Sequence, residues 1–155
     1  MGYIIIMATI LVPLDTSEIA PQVLVTAESL ALKLHSKLIL FHVIEPVASY
    51  VPVGASMDMI ATSPPVFDSE QSDGARHRLE ELAAPLRAKG LEVACEATLG
   101  VPVDEIADMA ASQGADYIVL GSHGHGALFH LFGGSVVTGV LKQSTCPVVV
   151  VPVRK

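Results

Sequence analysis

Short apolar runs rich in β-branched residues alternate along this chain with longer segments of helical period. Ala8–Leu14 (Ala-Thr-Ile-Leu-Val-Pro-Leu) reads as a buried strand that stops at Asp15. Thr16 and Ser17 offer N-caps, and Glu18 suits the first turn of a helix. Ile19, Val23, Leu24, Ala27, Leu30, Ala31 and Leu34 then recur at helical spacing. Pro21 is tolerable only near the start of that helix. Leu38–Ile44 is a second strand. From Glu45 to Ser69 the chain carries Pro46, Pro52, Gly54, Pro64 and Pro65 with no sustained period, which predicts a long loop. Loops of this length in compact domains serve as lids, partner surfaces or mobile segments.

Helical spacing returns over Glu70–Lys89 through Ala75, Leu79, Leu82, Ala83 and Leu86, with Gly90 as a stop. Pro85 conflicts with an ideal helix and is expected to kink or shorten the last turns. Leu91–Leu99 alternates more than the other strands, which places it at an edge. Pro102 opens the next helix, Asp104 and Glu105 complement its dipole, and Gly114 ends it. Asp116–Gly121 is a fourth strand, Ser135–Ser144 a short helix, and Val148–Val153 a final strand after Pro147. Five strands joined by helices predict an α/β fold, a single doubly wound five-stranded parallel sheet flanked by helices. The whole chain, 1–155, reads as one domain. Met7 is a second candidate start, which would make the residues before it an N-terminal extension.

Composition agrees with that architecture. At 155 residues, 51% hydrophobic and 16% charged, the chain can bury a core and is not generally disordered. The net charge of -7, without a Lys/Arg block, excludes a general nucleic-acid or anionic-membrane surface. No apolar run reaches membrane-spanning length. The apolar start lacks the basic residues and cleavage site of a signal peptide, and Ile6 stands where myristoylation favours Ser or Thr. Cys95 and Cys146 form no metal or redox pattern and read as two reduced, core-like thiols. The expected compartment is the cytoplasm.

The candidate chemistry lies after the fourth strand. Ligands of such sheets gather at the carboxyl ends of the strands, where the strand order reverses. Two segments meet there, Pro13-Leu14-Asp15 and Gly121-Ser-His-Gly124-His-Gly126, the second closing with Gly133-Gly134-Ser135 at a helix start. One glycine fits an ordinary turn. Five within fourteen residues, ending at helix amides, suit a phosphate cradle. It is no Walker A loop, because Gly-Lys-Ser/Thr is absent, and Gly124-His-Gly126 lacks the third glycine of a dinucleotide fingerprint.

The spacing Gly121-x2-Gly124-x9-Gly134-Ser135 resembles the Gly-x2-Gly-x9-Gly-Ser/Thr motif of the universal stress protein family, in its ATP-binding branch. Ile10-Leu-Val-Pro-Leu-Asp15-Thr-Ser, Phe41-His-Val43 and Cys146-Pro-Val-Val-Val-Val extend the resemblance over residues 8–153. It implies a Rossmann-like, adenine nucleotide α-hydrolase-like fold that binds ATP. On this resemblance Pro13 (through its backbone) and Asp15 lie on the ribose and metal side, and Val43 contacts adenine through its backbone and side chain. Leu120, Gly121 and Gly124 line the ribose and α-phosphate, and Gly134, Ser135, Val136 and Val137 serve the phosphates. Val137 stands where many ATP-binding relatives carry Thr or another polar residue, so a hydroxyl contact is missing while the amide remains. The resemblance also implies a homodimer through the C-terminal strand 148–153.

Between Gly121 and Val153 the only Lys or Arg is Lys142. Balancing the charge of ATP beside Asp15 therefore calls for Mg²⁺ or Mn²⁺. His123, His125 and His130 read better as loop residues near phosphate than as metal ligands, since no Cys or carboxylate joins them locally. Ser122-His123 lacks the nucleophile elbow of a hydrolase. His42 reads as a hydrogen-bonded core histidine. Asp15 has a second reading as a helix cap. Met57 and Met59 read equally as an adaptable binding surface or as loop packing. Three functions remain: an ATP-dependent regulatory or stress-survival protein, a slow ATPase or phosphotransfer enzyme, and a partner-binding module without retained nucleotide. No arginine lies near the loop to stabilise phosphoryl transfer, so turnover is expected to be slow or absent.

Overall fold

The computed structural model describes residues 7–15, 20–46, 69–122 and 136–152. Five strands alternate with four helices: β1 (Thr9–Pro13), α1 (Ala20–Leu34), β2 (Lys37–Ile44), α2 (Ser69–Ala88), β3 (Val93–Leu99), α3 (Pro102–Ser112), β4 (Tyr117–Gly121), α4 (Val136–Gln143) and β5 (Val148–Val151). All neighbouring strands pair in parallel in the order β3-β2-β1-β4-β5, the doubly wound sheet expected from the sequence. The expected caps Thr16 and Ser17 and most of the 45–69 loop lie outside the described residues.

Strand alternation sorts the core into two layers. Ile10, Val12, Leu38, Leu40 and Val119 face α1 and α2, where Val23, Ala27, Ala31, Leu79, Ala83 and Leu86 cover them. Leu11, Ile39, Phe41, Ile118 and Leu120 face the other way, against Ile106 and Ala110 of α3 and Val140 of α4. Helices on both faces explain why the inner strands are apolar without interruption. The more alternating β3 is an edge strand, as its pattern predicts.

Pro85 does not shorten α2, which runs on to Ala88. The proline removes one N–H from the helix ladder, and contacts beyond the helix hold the last turn. Leu86 is buried, its carbonyl accepts from Leu91 N–H at 3.3 Å, and Arg87 reaches across to β3. Gly90 and Gly114 follow α2 and α3 at positive φ, in the left-handed conformation that closes a helix without a Cβ clash. α1 is followed instead by His35 at φ 50, a non-glycine stop that its sequence does not announce.

The Arg87 guanidinium donates from Nε and Nη2 to Val93 O, at 3.0 and 2.7 Å, and pairs with Glu80. That hydrogen bond holds the Glu80 carboxyl below its ordinary range. Beneath lies buried Cys95, whose thiol burial pushes up to about 11. Cys146 is half-buried on the opposite layer, where Ser144 Oγ donates to its carbonyl at 2.7 Å and accepts from its N–H at 3.2 Å. The two thiols are thus unlike: only Cys95 is sealed in the core. At pH 8, iodoacetamide is expected to modify Cys146 well before Cys95, with peptide mass spectrometry as the readout. Because the folded state keeps the Cys95 proton to higher pH than an unfolded thiol of about 8.5, its contribution to stability is complete below that value. It is lost as pH rises towards 11.

Candidate functional site at the carboxyl ends of β1 and β4

The sheet opens where the strand order reverses, between β1 and β4. β1 pairs with β2 through to Pro13–Phe41, but with β4 only at Ile10–Tyr117 and Leu11–Ile118. The reason lies in the chain. Alternate β1 residues direct their main-chain groups to opposite neighbours, and the next one turned towards β4 is Pro13, which has no N–H to give. β4 meanwhile stays paired with β5 through to Gly121–Val151. β1 and β4 thus end without pairing to each other, at the switch point where open α/β sheets form the crevice that takes their ligands.

Past Pro13 the chain is held from the β2 side. Leu14 N–H donates to Phe41 O at 2.8 Å, and the His42 ring nitrogen Nδ1 lies 2.7 Å from Leu14 O. A carbonyl only accepts, so Nδ1 carries the proton. The sequence reading of His42 as a hydrogen-bonded histidine is therefore met, although the ring is half-buried and sits at the crevice rather than deep in the core. Asp15 follows directly, half-buried, at the mouth.

The apolar wall comes from the α3/α4 layer. Leu120 is buried there, and Val43, Val136 and Val137 pack on the same cluster. Gly121 ends β4, and Ser122 N–H donates to Val151 O at 2.8 Å as the chain leaves the sheet. Val136 and Val137 are the first described residues of α4. The structure thus gathers Pro13, Asp15, Val43, Leu120, Gly121, Val136 and Val137 around one end of the sheet. Gly124, Gly134 and Ser135 lie outside the described residues, as do His123, His125 and His130.

Asp15 is a hard oxygen donor suited to Mg²⁺ or Mn²⁺ when phosphate and water oxygens complete the shell. Among the described residues no group of three His, Cys, Asp or Glu could hold a metal ion by itself. The donor set fits a divalent ion that arrives with phosphates. No described helix is long and apolar enough to cross a membrane. Sequence reasoning did not find the two main-chain devices, the missing rung at Pro13 and the ring bond of His42; Val12-Pro13 and Phe41-His42 were the signals.

Comparison with known proteins bears on this crevice through the fold that carries it. Sll1388, a universal stress protein of Synechocystis, is 34% identical over 157 residues, spanning 97% of this chain and 99% of that protein. Universal stress protein MJ0577 of Methanocaldococcus jannaschii is 35% identical over 80 residues, which take in 52% of this chain and 49% of that protein. The solved structure of MJ0577 matches with a TM-score of 0.74 at 28% identity, over 96% of this chain and 97% of that chain. A universal stress protein from Archaeoglobus fulgidus, solved in complex with dAMP, shares the fold at 22% identity and a TM-score of 0.62, over 94% of this chain and 98% of that chain. The profile of the universal stress protein family matches residues 7–152, nearly the whole chain, and the chain belongs to that family.

Proposed function

We propose that the crevice between β1 and β4 binds an adenine nucleotide, ATP with Mg²⁺ or Mn²⁺, and that the protein is a nucleotide-dependent regulatory or stress-survival factor. The observation that carries this reading is the opening at Pro13, with Asp15 on one side and Val43, Leu120, Val136 and Val137 on the other. An apolar wall suits the base, the α4 amides suit phosphate, and Asp15 suits the metal. The dAMP complex of a relative with the same fold supports the adenine part of the reading. On this reading Pro13 and Asp15 serve the ribose and metal side, Val43 meets the base, and Leu120, Gly121 and Gly124 line the ribose and α-phosphate. Gly134, Ser135, Val136 and Val137 hold the phosphates.

The reading extends to assembly and compartment. β5 is an edge strand with Val150 36% exposed, so reciprocal pairing of strand 148–153 across a two-fold axis would give a homodimer and cover it. Buried, unpaired Cys95 suits the cytoplasm. Residues 1–155 act as one domain.

The test is mass spectrometry of nucleotide released from denatured protein, followed by calorimetric titration of the emptied protein with ATP. ATP binding with Mg²⁺, weakened by EDTA, with little phosphate release is the expected result. Steady phosphate release abolished by Asp15→Ala would favour the slow enzyme. Binding of ATP that EDTA leaves unchanged would remove the metal from the account. No retained nucleotide and no binding of added ATP would leave a partner-binding module.

A further inference from the structure

In a parallel ladder each bonding residue receives an N–H from its partner strand and returns one. β2 residues Lys37 and Phe41 are turned towards β1: Lys37 N–H donates to Ala8 O at 2.9 Å, and Phe41 O accepts from Leu14 N–H. The next rung in this series joins Val43 N–H to Leu14 O. That rung is absent among the described residues, and pairing of the two strands ends at Pro13–Phe41. The carbonyl it would use is the one bonded by the His42 ring at 2.7 Å. Among the described residues Val43 N–H has no partner, and the ladder turns it off the β2 edge on the side of β1, with the Val43 side chain on the apolar wall.

The geometry points to His42 as a positioning residue for base recognition: its ring takes Leu14 O and so keeps the Val43 main-chain N–H available to an acceptor nitrogen on the ring of a bound base. This rests on the proposed nucleotide site, in which Val43 meets the base, and adds the side chain that keeps its N–H available there. Val43 is half-buried, and a base that covers its N–H has to supply an acceptor: a ligand offering one is favoured and one offering a second donor is rejected. Adenine presents an unprotonated ring nitrogen next to its amino group, whereas hypoxanthine carries a proton at the same position. Both the neutral Nδ1–H ring and the imidazolium donate to Leu14 O, so the arrangement survives protonation.

The experiment compares wild type with H42L and H42N. Asparagine places an amide N–H close to where Nδ1–H stands, whereas leucine places none there. H42M, which also lacks a donor, replaces H42L if the latter does not fold. Amide hydrogen exchange at Val43 is read by NMR without nucleotide, and the affinities of Mg-ATP and Mg-ITP by calorimetry. Val43 is expected to exchange freely in wild type and H42N. In the variant without a donor, Leu14 O is released to accept Val43 N–H, and exchange slows about tenfold. The wild-type preference for ATP over ITP, about tenfold, is expected to persist in H42N and collapse in H42L through loss of ATP affinity. Equal Val43 exchange in wild type and H42L overturns the inference, as does a loss of ATP and ITP affinity in equal proportion. If wild type binds neither nucleotide, the proposed function fails, and slowed Val43 exchange in H42L still supports the diverted bond.

Discussion

Phe41→Ala is expected to remove about 3–5 kcal/mol of folding stability, a large part of the total for a domain of this size. Phe41 is only 1% exposed and is one of the largest fully buried side chains, set in the layer beneath α3 and α4. Truncation leaves a cavity among Leu11, Ile39, Ile106 and Ile118, which strand geometry prevents from collapsing freely. At ~2–4 °C per kcal/mol for a chain of this length, the melting temperature is expected to fall by roughly 6–20 °C. Val25→Ala provides the control: Val25 is 67% exposed on α1, and its loss is expected to stay within about 0.5 kcal/mol. Thermal and urea unfolding followed by circular dichroism decide both. A shift below 2 °C for Phe41→Ala would mean that this layer is not the packed core described.

Asp15→Asn is expected to weaken Mg-ATP binding about tenfold to hundredfold, the range for losing a charge-assisted contact. The substitution keeps the shape and removes the charge that would face the metal. The effect should therefore be much smaller for AMP measured without a divalent ion. Asp15 is half-buried at the end of β1, outside the apolar layers, so the fold is expected to persist. Equal loss for Mg-ATP and metal-free AMP would place Asp15 on the nucleoside rather than at the metal.

The fold was largely legible because its period is simple. β-branched runs separated by helical spacing led to the parallel sheet, and the alternation of Val93–Leu99 led to its place at an edge. Pro85 was legible as a local conflict but not in its outcome, because Leu86 and Arg87 are held by residues of the following turn and strand. His35 at positive φ gave no signal, since only glycine or asparagine usually marks such a stop.

The site was legible in part. Glycine spacing and the Pro13-Leu14-Asp15 segment pointed to the carboxyl end of the sheet as the candidate site, and the structure brings Val43, Leu120, Val136 and Val137 onto one wall. That Pro13 ends pairing with β4, and that His42 takes a carbonyl Val43 would otherwise bond, depend on the register of three strands. Register is a tertiary quantity: a slip of one residue would reverse which groups face which neighbour.

The most direct measurement of the central claim is a ¹H–¹⁵N NMR titration with Mg-ATP, mapped onto the backbone. Changes are expected at Leu14, Asp15, Val43, Leu120 to Ser122, Val136 and Val137, all at the carboxyl ends of β1, β2 and β4 or at the start of α4. The opposite end, around Ser36, Glu92 and Gly114, is expected to stay unchanged. Saturable changes confined to that opposite end, or none at millimolar Mg-ATP, would contradict an adenine nucleotide site in the crevice.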